Sequence, residues 1–266
     1  MRRRPTKPAL FLTVRTDSTR LPGKVLLKIG NQTVIEFMIQ HLKRARVSEL
    51  FVLCTTDNPE DEILVKLAEK NGIRWFRGSS NDVLARLEAA ARKFGVDFVV
   101  NVEGDDIFCD PILADRTFEH FVQTGADFIR WTGLPVGASP LGIRAEALTK
   151  VCSLKDTTNT DTGWGRFFTE TGLFRVETLE ETDPLLHHPE LRMTIDYPED
   201  YAFAKEVCDR LRGTDFMLRD VIQIVQENPS IAEINKHRQA EYLKKFDEKK
   251  ASVRLKSRVS NRGGHE

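Results

Sequence analysis

Through the first half of this chain, short apolar runs alternate with segments of helical spacing. Ala9 to Val14, Leu50 to Leu53, Ile73 to Phe76 and Asp97 to Val102 are four such runs, each bounded by turn residues. That is the pattern of strands buried on both faces of a parallel sheet. Between them stand helix signals. Thr33 is placed to cap a helix carrying Val34, Ile35, Phe37, Met38, Ile39 and Leu42 on one face. Asn58-Pro59-Glu60-Asp61-Glu62 opens a second that runs to Lys70 and stops at Asn71-Gly72. Ser80 or Asn81 is expected to cap a third from Asp82 to Phe94, ended by Gly95, and Pro111 starts a fourth to about Thr124. Strands alternating with helices of this length predict right-handed crossovers and an α/β domain, its mostly parallel central sheet flanked by helices.

The remainder is less regular. Val25 to Ile29 reads as a short extended piece, Asp127 to Trp131 as a strand, and Pro140 to Arg144 as a strand running into a helix at Glu146. Thr157 to Gly165 is a polar loop in which Trp164 stands between glycines, a large aromatic expected to touch something. Leu191 to Ile195 is read as a strand stopping at Asp196, with helices following from Pro198 to about Leu211 and from Phe216 to Glu227. The main domain is expected over residues 9–235, with 236–266 a charged peripheral helix and then a disordered tail from about Ala251.

Composition excludes several classes. Lys+Arg and Asp+Glu are equal at 40 each, so no global field points to nucleic acid. The four cysteines, Cys54, Cys109, Cys152 and Cys208, form no CxxC pair, a pattern of reduced thiols rather than a disulfide frame or structural zinc. No stretch approaches a membrane span, and a cytoplasmic protein with no membrane insertion is expected.

Four of the expected strand ends carry polar groups: Arg15 to Lys24, Thr55-Thr56-Asp57, Glu103-Gly104-Asp105-Asp106, and Asp196. Ligands of open α/β sheets bind just beyond the carboxyl ends of the strands, so these groups are expected to share one cleft. Arg15, Arg20 and Lys24, with the Ser18 hydroxyl and the turn at Pro22-Gly23, suit a polyanion such as a nucleoside triphosphate. A solvated basic turn has the same composition and is the plainer alternative for that loop taken alone. Asp105 and Asp196 are the natural cation ligands, because carboxylates at strand ends, with Gly104 allowing close backbone approach, suit Mg²⁺ held between carboxylates and phosphates. Each acid alone reads equally as a turn or a helix start. His187 and His188 read first as exposed loop residues, with approach to the metal or substrate as the alternative.

The same residues carry a resemblance. Arg15-Thr16-Asp17-Ser18-Thr19-Arg20-Leu21-Pro22-Gly23-Lys24 is similar to the ARxxSxRLPGK loop of the CMP-sugar synthetase superfamily, with Val14 in place of the alanine. That group includes CMP-Kdo synthetases, acylneuraminate cytidylyltransferases and the spore-coat polysaccharide cytidylyltransferase-like proteins. Cys54-Thr55-Thr56-Asp57, Gly78-Ser79-Ser80-Asn81-Asp82-Val83-Leu84-Ala85-Arg86, Asn101-Val102-Glu103-Gly104-Asp105-Asp106 and Thr194-Ile195-Asp196-Tyr197-Pro198-Glu199-Asp200 continue it in order. The Gly78 to Arg86 segment most resembles the spore-coat branch, and the whole match covers roughly residues 9 to 226.

The resemblance implies a single nucleotide-diphospho-sugar transferase domain, Rossmann-like and similar to the glycosyltransferase-A fold. It implies a cytidylyltransferase that joins CTP to a sugar or sugar acid and releases pyrophosphate, for surface polysaccharide synthesis, working as a homodimer. On that basis Arg15, Arg20 and Lys24 would hold the triphosphate, Ser18 would add a hydrogen bond, and Asp105 and Asp196 would hold Mg²⁺. Val14, Thr55, Asp57, Arg86, Glu103 and Trp164 would line the nucleotide or substrate site; for Arg86 an exposed helix position is the competing expectation.

The pattern also departs from that family. Glu103 stands in place of glutamine, Asp106-Ile107 replaces Glu-Pro, Pro135 to Gly142 lacks an acid, and Thr160 to Arg166 replaces an Arg-Glu-His region. These segments would border the acceptor, so the nucleotide half carries over more directly than the sugar half. A glycosyltransferase of the same fold would use a nucleotide sugar and form no pyrophosphate, and a non-catalytic nucleotide-binding module would turn over neither; the strongly cationic loop and the retained acids favour the transferase over both.

Overall fold

A computed structural model describes residues 6–211, 213–249 and 252–256. β1 (Pro8–Thr13) ends in the cationic loop, which turns through a short 3₁₀ segment at Lys24–Leu26. A small hairpin, β2 (Lys28–Ile29) with β3 (Gln32–Thr33), follows, so the extended piece expected from Val25 is confined to its last two residues. Gly23 makes the loop's exit possible by adopting φ 64°, a left-handed conformation that disfavours side chains. Thr33 caps α1 (Val34–Leu42) as expected, in a capping box with Glu36.

Then come β4 (Phe51–Thr56), α2 (Glu62–Lys70), β5 (Arg74–Gly78) and α3 (Val83–Phe94). The cap of α3 is Asp82, not Ser80 or Asn81: its carboxylate accepts from the Ala85 N–H. β6 (Phe98–Glu103), α4 (Pro111–Thr124), β7 (Phe128–Thr132), β8 (Leu141–Arg144) and α5 (Ala145–Leu154) match the expected elements closely. The short α6 (Arg166–Thr169) and β9 (Val176–Glu180) were not foreseen. β9 is an edge strand with no fully buried residue, and only Val176 and Leu179 in it are apolar, which leaves no apolar run to see. The chain closes with α7 (Pro198–Cys208), α8 (Leu218–Glu227), α9 (Pro229–Glu233) and α10 (Arg238–Lys249).

The seven-stranded sheet has the order β5-β4-β1-β6-β8-β7-β9. β5, β4, β1 and β6 run parallel, β8 is antiparallel to both its neighbours, and β9 is parallel to β7. Alternate residues feed the two faces: Leu10 and Leu12 join the core under α1, α4, α7 and α8, while Ala9 and Phe11 join the one under α3, α5 and α6. Strands buried on both sides are the reason the first half reads so plainly as apolar runs. After β1 the chain moves outward to β4 and β5, then returns to β6 on the other side of β1. That reversal opens a crevice at the carboxyl ends of β1 and β6, where the cationic loop and the Glu103–Asp106 acids emerge.

The segment from Leu191 to Ile195 is not a strand. Its pairing is a single bridge between Arg192 and Val136, and Ile195 N–H donates to the Asp105 carbonyl at 2.9 Å. Asp196 is therefore held beside Asp105 by a loop laid against the sheet end. α10 also departs from expectation, since it lies at the cleft rather than on the periphery. Beyond it, Leu255 bridges Lys155, and backbone bonds join Asp156 to Arg254 and Lys256 to Leu154. Residues 252–256 are thus ordered against the end of α5, while the rest of the expected tail, 251 and 257–266, lies outside the described residues. Among the described residues no helix is long and apolar enough to cross a membrane.

Candidate active site

The crevice is an open cleft of about 650 Å³, a volume suited to a nucleotide-sized ligand. Val14, Arg15, Ser18, Arg20 and Lys24 line one wall. Gly104 packs against that wall so closely that a Cβ there would lie 2.6 Å from Val14, and its N–H donates to the Thr13 carbonyl at 2.8 Å. A side chain at 104 would push the acidic turn away from the cationic loop.

Charge is concentrated at the cleft floor. Lys24 Nζ donates to Asp105 Oδ2 at 2.6 Å and to Asp196 Oδ1 at 3.1 Å, and Arg20 donates to the same Asp196 oxygen at 2.5 Å. Arg192, on the far side, takes Asp196 Oδ2 at 2.9 Å and also bonds Asp200. Burial opposes the charge on Asp196, but Lys24, Arg20 and Arg192 outweigh it and hold the carboxyl below its usual range. Burial likewise opposes the charge on Lys24, and Asp105 and Asp196 overcome it, so the ammonium is held more firmly than usual.

The carboxylate oxygens of Glu103, Asp105 and Asp106 lie within 4.8 Å of one another. Glu103 lines the cleft and is exposed there; desolvation, then the neighbouring Asp105 charge, raises its carboxyl to about 7. Burial, then Asp105 and Glu103, push Asp106 well above the usual carboxylate range. Crowded hard-oxygen donors of this kind fit a divalent cation such as Mg²⁺, which would relieve their mutual repulsion. Asp105 and Asp196 are well placed to share it, since one ammonium already reaches both.

The other expected residues divide. Arg15 lies at the cleft, half-exposed and paired with Asp161 at 2.8 Å. Trp164 is buried at the cleft wall, its indole N–H donating to Glu103 Oε1 at 3.1 Å and its ring edge-on to Phe128. Arg86 is buried, not on an exposed helix face: it lines the cleft and donates to the Ser79 carbonyl at 2.7 Å. Thr55 and Asp57 do not line the cleft. Thr55 is fully buried within the sheet, and Asp57 accepts a hydrogen bond from Ser80. His187 and His188 lie away from it, on Glu181 and Glu190. Asp161, Arg192, Tyr242, Lys245 and Phe246 contribute to the site or its support without having been singled out. Asp161 belongs to the polar loop already expected to meet the substrate, and Arg192 supports Asp196 from four residues away; Tyr242, Lys245 and Phe246 sit in a charged helix whose local sequence does not mark them.

The cytidylyltransferase family model matches residues 9–245. An uncharacterized protein of Methanocaldococcus jannaschii is 28% identical over 87% of this chain and 96% of its own length. The spore coat polysaccharide biosynthesis protein SpsF of Bacillus subtilis is 26% identical over 84% of this chain and 95% of its own. A cytidylyltransferase structure from Leptospira borgpetersenii superposes with a TM-score of 0.79 at 28% identity, covering 86% of this chain and 97% of that one. A CMP-2-keto-3-deoxy-manno-octonic acid synthetase complexed with CTP shares the fold at a TM-score of 0.60 and 13% identity, over 77% of this chain and 99% of that one. The matched stretch contains every cleft residue from the β1 loop to Asp196 and reaches into α10. A nucleotidyltransferase by fold and by relatives, the chain belongs to the cytidylyltransferase family.

Proposed function

We propose that this protein is a Mg²⁺-dependent cytidylyltransferase that transfers CMP from CTP to a sugar or sugar acid and releases pyrophosphate, as a homodimer serving surface-polysaccharide synthesis. The observation that carries the reading is the convergence of Lys24 and Arg20 with Asp105 and Asp196 at one sheet end. A polyphosphate needs cations, its metal needs carboxylates, and both sets stand within hydrogen-bond reach of each other.

In this scheme Arg15, Arg20 and Lys24 bind the triphosphate oxygens, with Ser18 as a further donor. The two guanidiniums give directional forks and Lys24 a mobile charge. Asp105 and Asp196 would hold the metal, with Glu103 and Asp106 beside them; bound there, it would offset charge on the α-phosphate and on the departing pyrophosphate. Lys24 and Arg20, now balanced by the acids, turn toward the phosphates as these arrive. An acceptor hydroxyl oxygen forms its bond to the α-phosphorus, its proton passing to solvent, as the bond to the bridging oxygen breaks and the pyrophosphate leaves with the electron pair. The protein's share is alignment and charge stabilisation. Trp164, through its indole N–H, fixes Glu103 at the acceptor side of the cleft.

Pyrophosphate release with each of four nucleoside triphosphates, Mg²⁺ and a panel of sugar acids and sugar phosphates tests the scheme. Acceptor-dependent release with CTP alone is the expected result. Breakdown of a nucleotide sugar without pyrophosphate would show a glycosyltransferase instead.

A further inference from the structure

Arg20 is held by more than its carboxylate. Its guanidinium carbon lies 5.4 Å from the ring centroid of Tyr197 and 5.4 Å from that of Tyr242. Tyr197 stands just before α7, but Tyr242 comes from α10. Arg192 reaches the same two rings, 5.8 Å from Tyr197 and 4.8 Å from Tyr242. Two like-charged guanidiniums thus share one aspartate and two aromatic faces. The negative π faces oppose their mutual repulsion where bulk water is partly excluded.

α10 is anchored for this task. Arg238 grips Glu199 with two bonds, at 2.6 and 3.0 Å, and Arg192 donates to Gln239 at 3.0 Å. Just ahead of the helix, Asn235 bonds Asp200 at 2.9 Å. The next turn brings Lys245 and Phe246 to the cleft, with Phe246 stacked on Tyr242 at 6.0 Å. Residues 252–256 are bonded to the end of α5.

We infer that Tyr242 is a positioning residue of this active site: with Tyr197 it fixes the Arg20 guanidinium in the orientation that receives the triphosphate. The inference rests on the role proposed above for Arg20. The group that matters is the ring, because no hydroxyl is needed to face a cation. Without Tyr242, Arg20 keeps Asp196 as a partner but gains the rotational freedom of a long side chain half open to solvent, 31% exposed.

Equilibrium binding of CTP to the full-length protein, with Mg²⁺ and separately with EDTA, measures the effect. Tyr242→Leu, which keeps apolar cover on α10 but removes the π face, is expected to weaken CTP about five- to thirtyfold. Tyr242→Phe is expected to stay within about twofold of the unmodified protein. In an Arg20→Ala background, Tyr242→Leu is expected to add less than about twofold, because the two changes remove one interaction. Without nucleotide, the ¹⁵N–¹H signal of Arg20 Nε is expected to lose its ring-current shift in Tyr242→Leu. CTP affinity unchanged in Tyr242→Leu, or an equal loss with Arg20 absent, would overturn the inference; so would a Tyr242→Phe defect as large as that of Tyr242→Leu. An unmodified protein that binds no CTP would instead overturn the proposed function, and the Arg20 signal would still decide whether Tyr242 holds the guanidinium.

Discussion

The Lys24 ammonium lies 2.6 Å from the Asp105 carboxylate, 81 residues away in sequence, and joins the cationic loop to the acidic turn. Lys24 is 9% exposed, so this is a nearly buried charge-assisted bond. Lys24→Ala is expected to lower kcat/KM for CTP by about tenfold to a hundredfold, corresponding to a loss of about 1.5–3 kcal/mol. A change of less than about twofold in steady-state kinetics would remove Lys24 from the triphosphate site.

Arg15 is paired with Asp161 across a half-exposed contact, at 31% and 29% side-chain exposure. Such pairs are worth about 0.2–1 kcal/mol, little enough for a phosphate to displace. Asp161→Asn frees the guanidinium and is expected to lower KM for CTP by up to about fivefold, with kcat nearly constant. A raised KM would show that Asp161 helps to hold the nucleotide rather than competing for Arg15.

Asp82 is 3% exposed and ties three elements together. It caps α3, accepts from Thr160 Oγ1 at 2.9 Å and pairs with buried Lys155, whose ammonium also donates to the Thr157 carbonyl. Asp82→Ala leaves that ammonium without a counter-charge and is expected to cost about 3–5 kcal/mol, lowering Tm by roughly ten degrees. Adding Lys155→Met is expected to recover about half of the loss. Calorimetry of the two variants checks both; an additive second loss would contradict the pairing.

The pH dependence of stability has an identifiable source in His41. Its ring is fully buried, stacked 3.9 Å from Phe216, with Nδ1 2.9 Å from the Thr214 carbonyl. Burial pushes the imidazole down to about 4. Between that value and the ordinary imidazole range, the unfolded chain binds a proton that the folded chain does not. Stability is therefore full above about pH 6.5 and falls as pH drops toward 4, by about 2–3 kcal/mol from this group. His41→Phe is expected to flatten urea-unfolding stability over that interval. An unchanged pH slope would assign the loss to other groups.

Much of this was legible in the sequence, and what was not has a physical pattern. β1, β4 and β6 are covered on both faces, so Phe11, Val52 and Val99 sit in apolar runs that announce themselves. β9 lies at the sheet edge with no fully buried residue, so no apolar run marks it. Asp196 was paired with Asp105 by motif, yet it arrives on an extended loop held by one bridge and by Ile195, not on a strand. Leu191 to Ile195 reads as a strand because three of its five residues are apolar, which composition alone cannot distinguish from a pinned loop. Tyr242 was hidden among charges in a segment whose mean character is that of a solvated helix. Its role depends on where Arg238 and Gln239 dock, a long-range contact no local pattern records.

The most direct test of the central claim follows the α-phosphate itself. With CTP labelled at either the α- or the γ-phosphorus, Mg²⁺ and an accepted sugar, the α label is expected in the sugar product and the γ label in pyrophosphate. Asp105→Asn and Asp196→Asn are each expected to lower the rate by more than about tenfold without unfolding the protein, since both would hold the metal. Label from the γ position in the product, or transfer as fast in both variants as in the unmodified protein, would contradict the account.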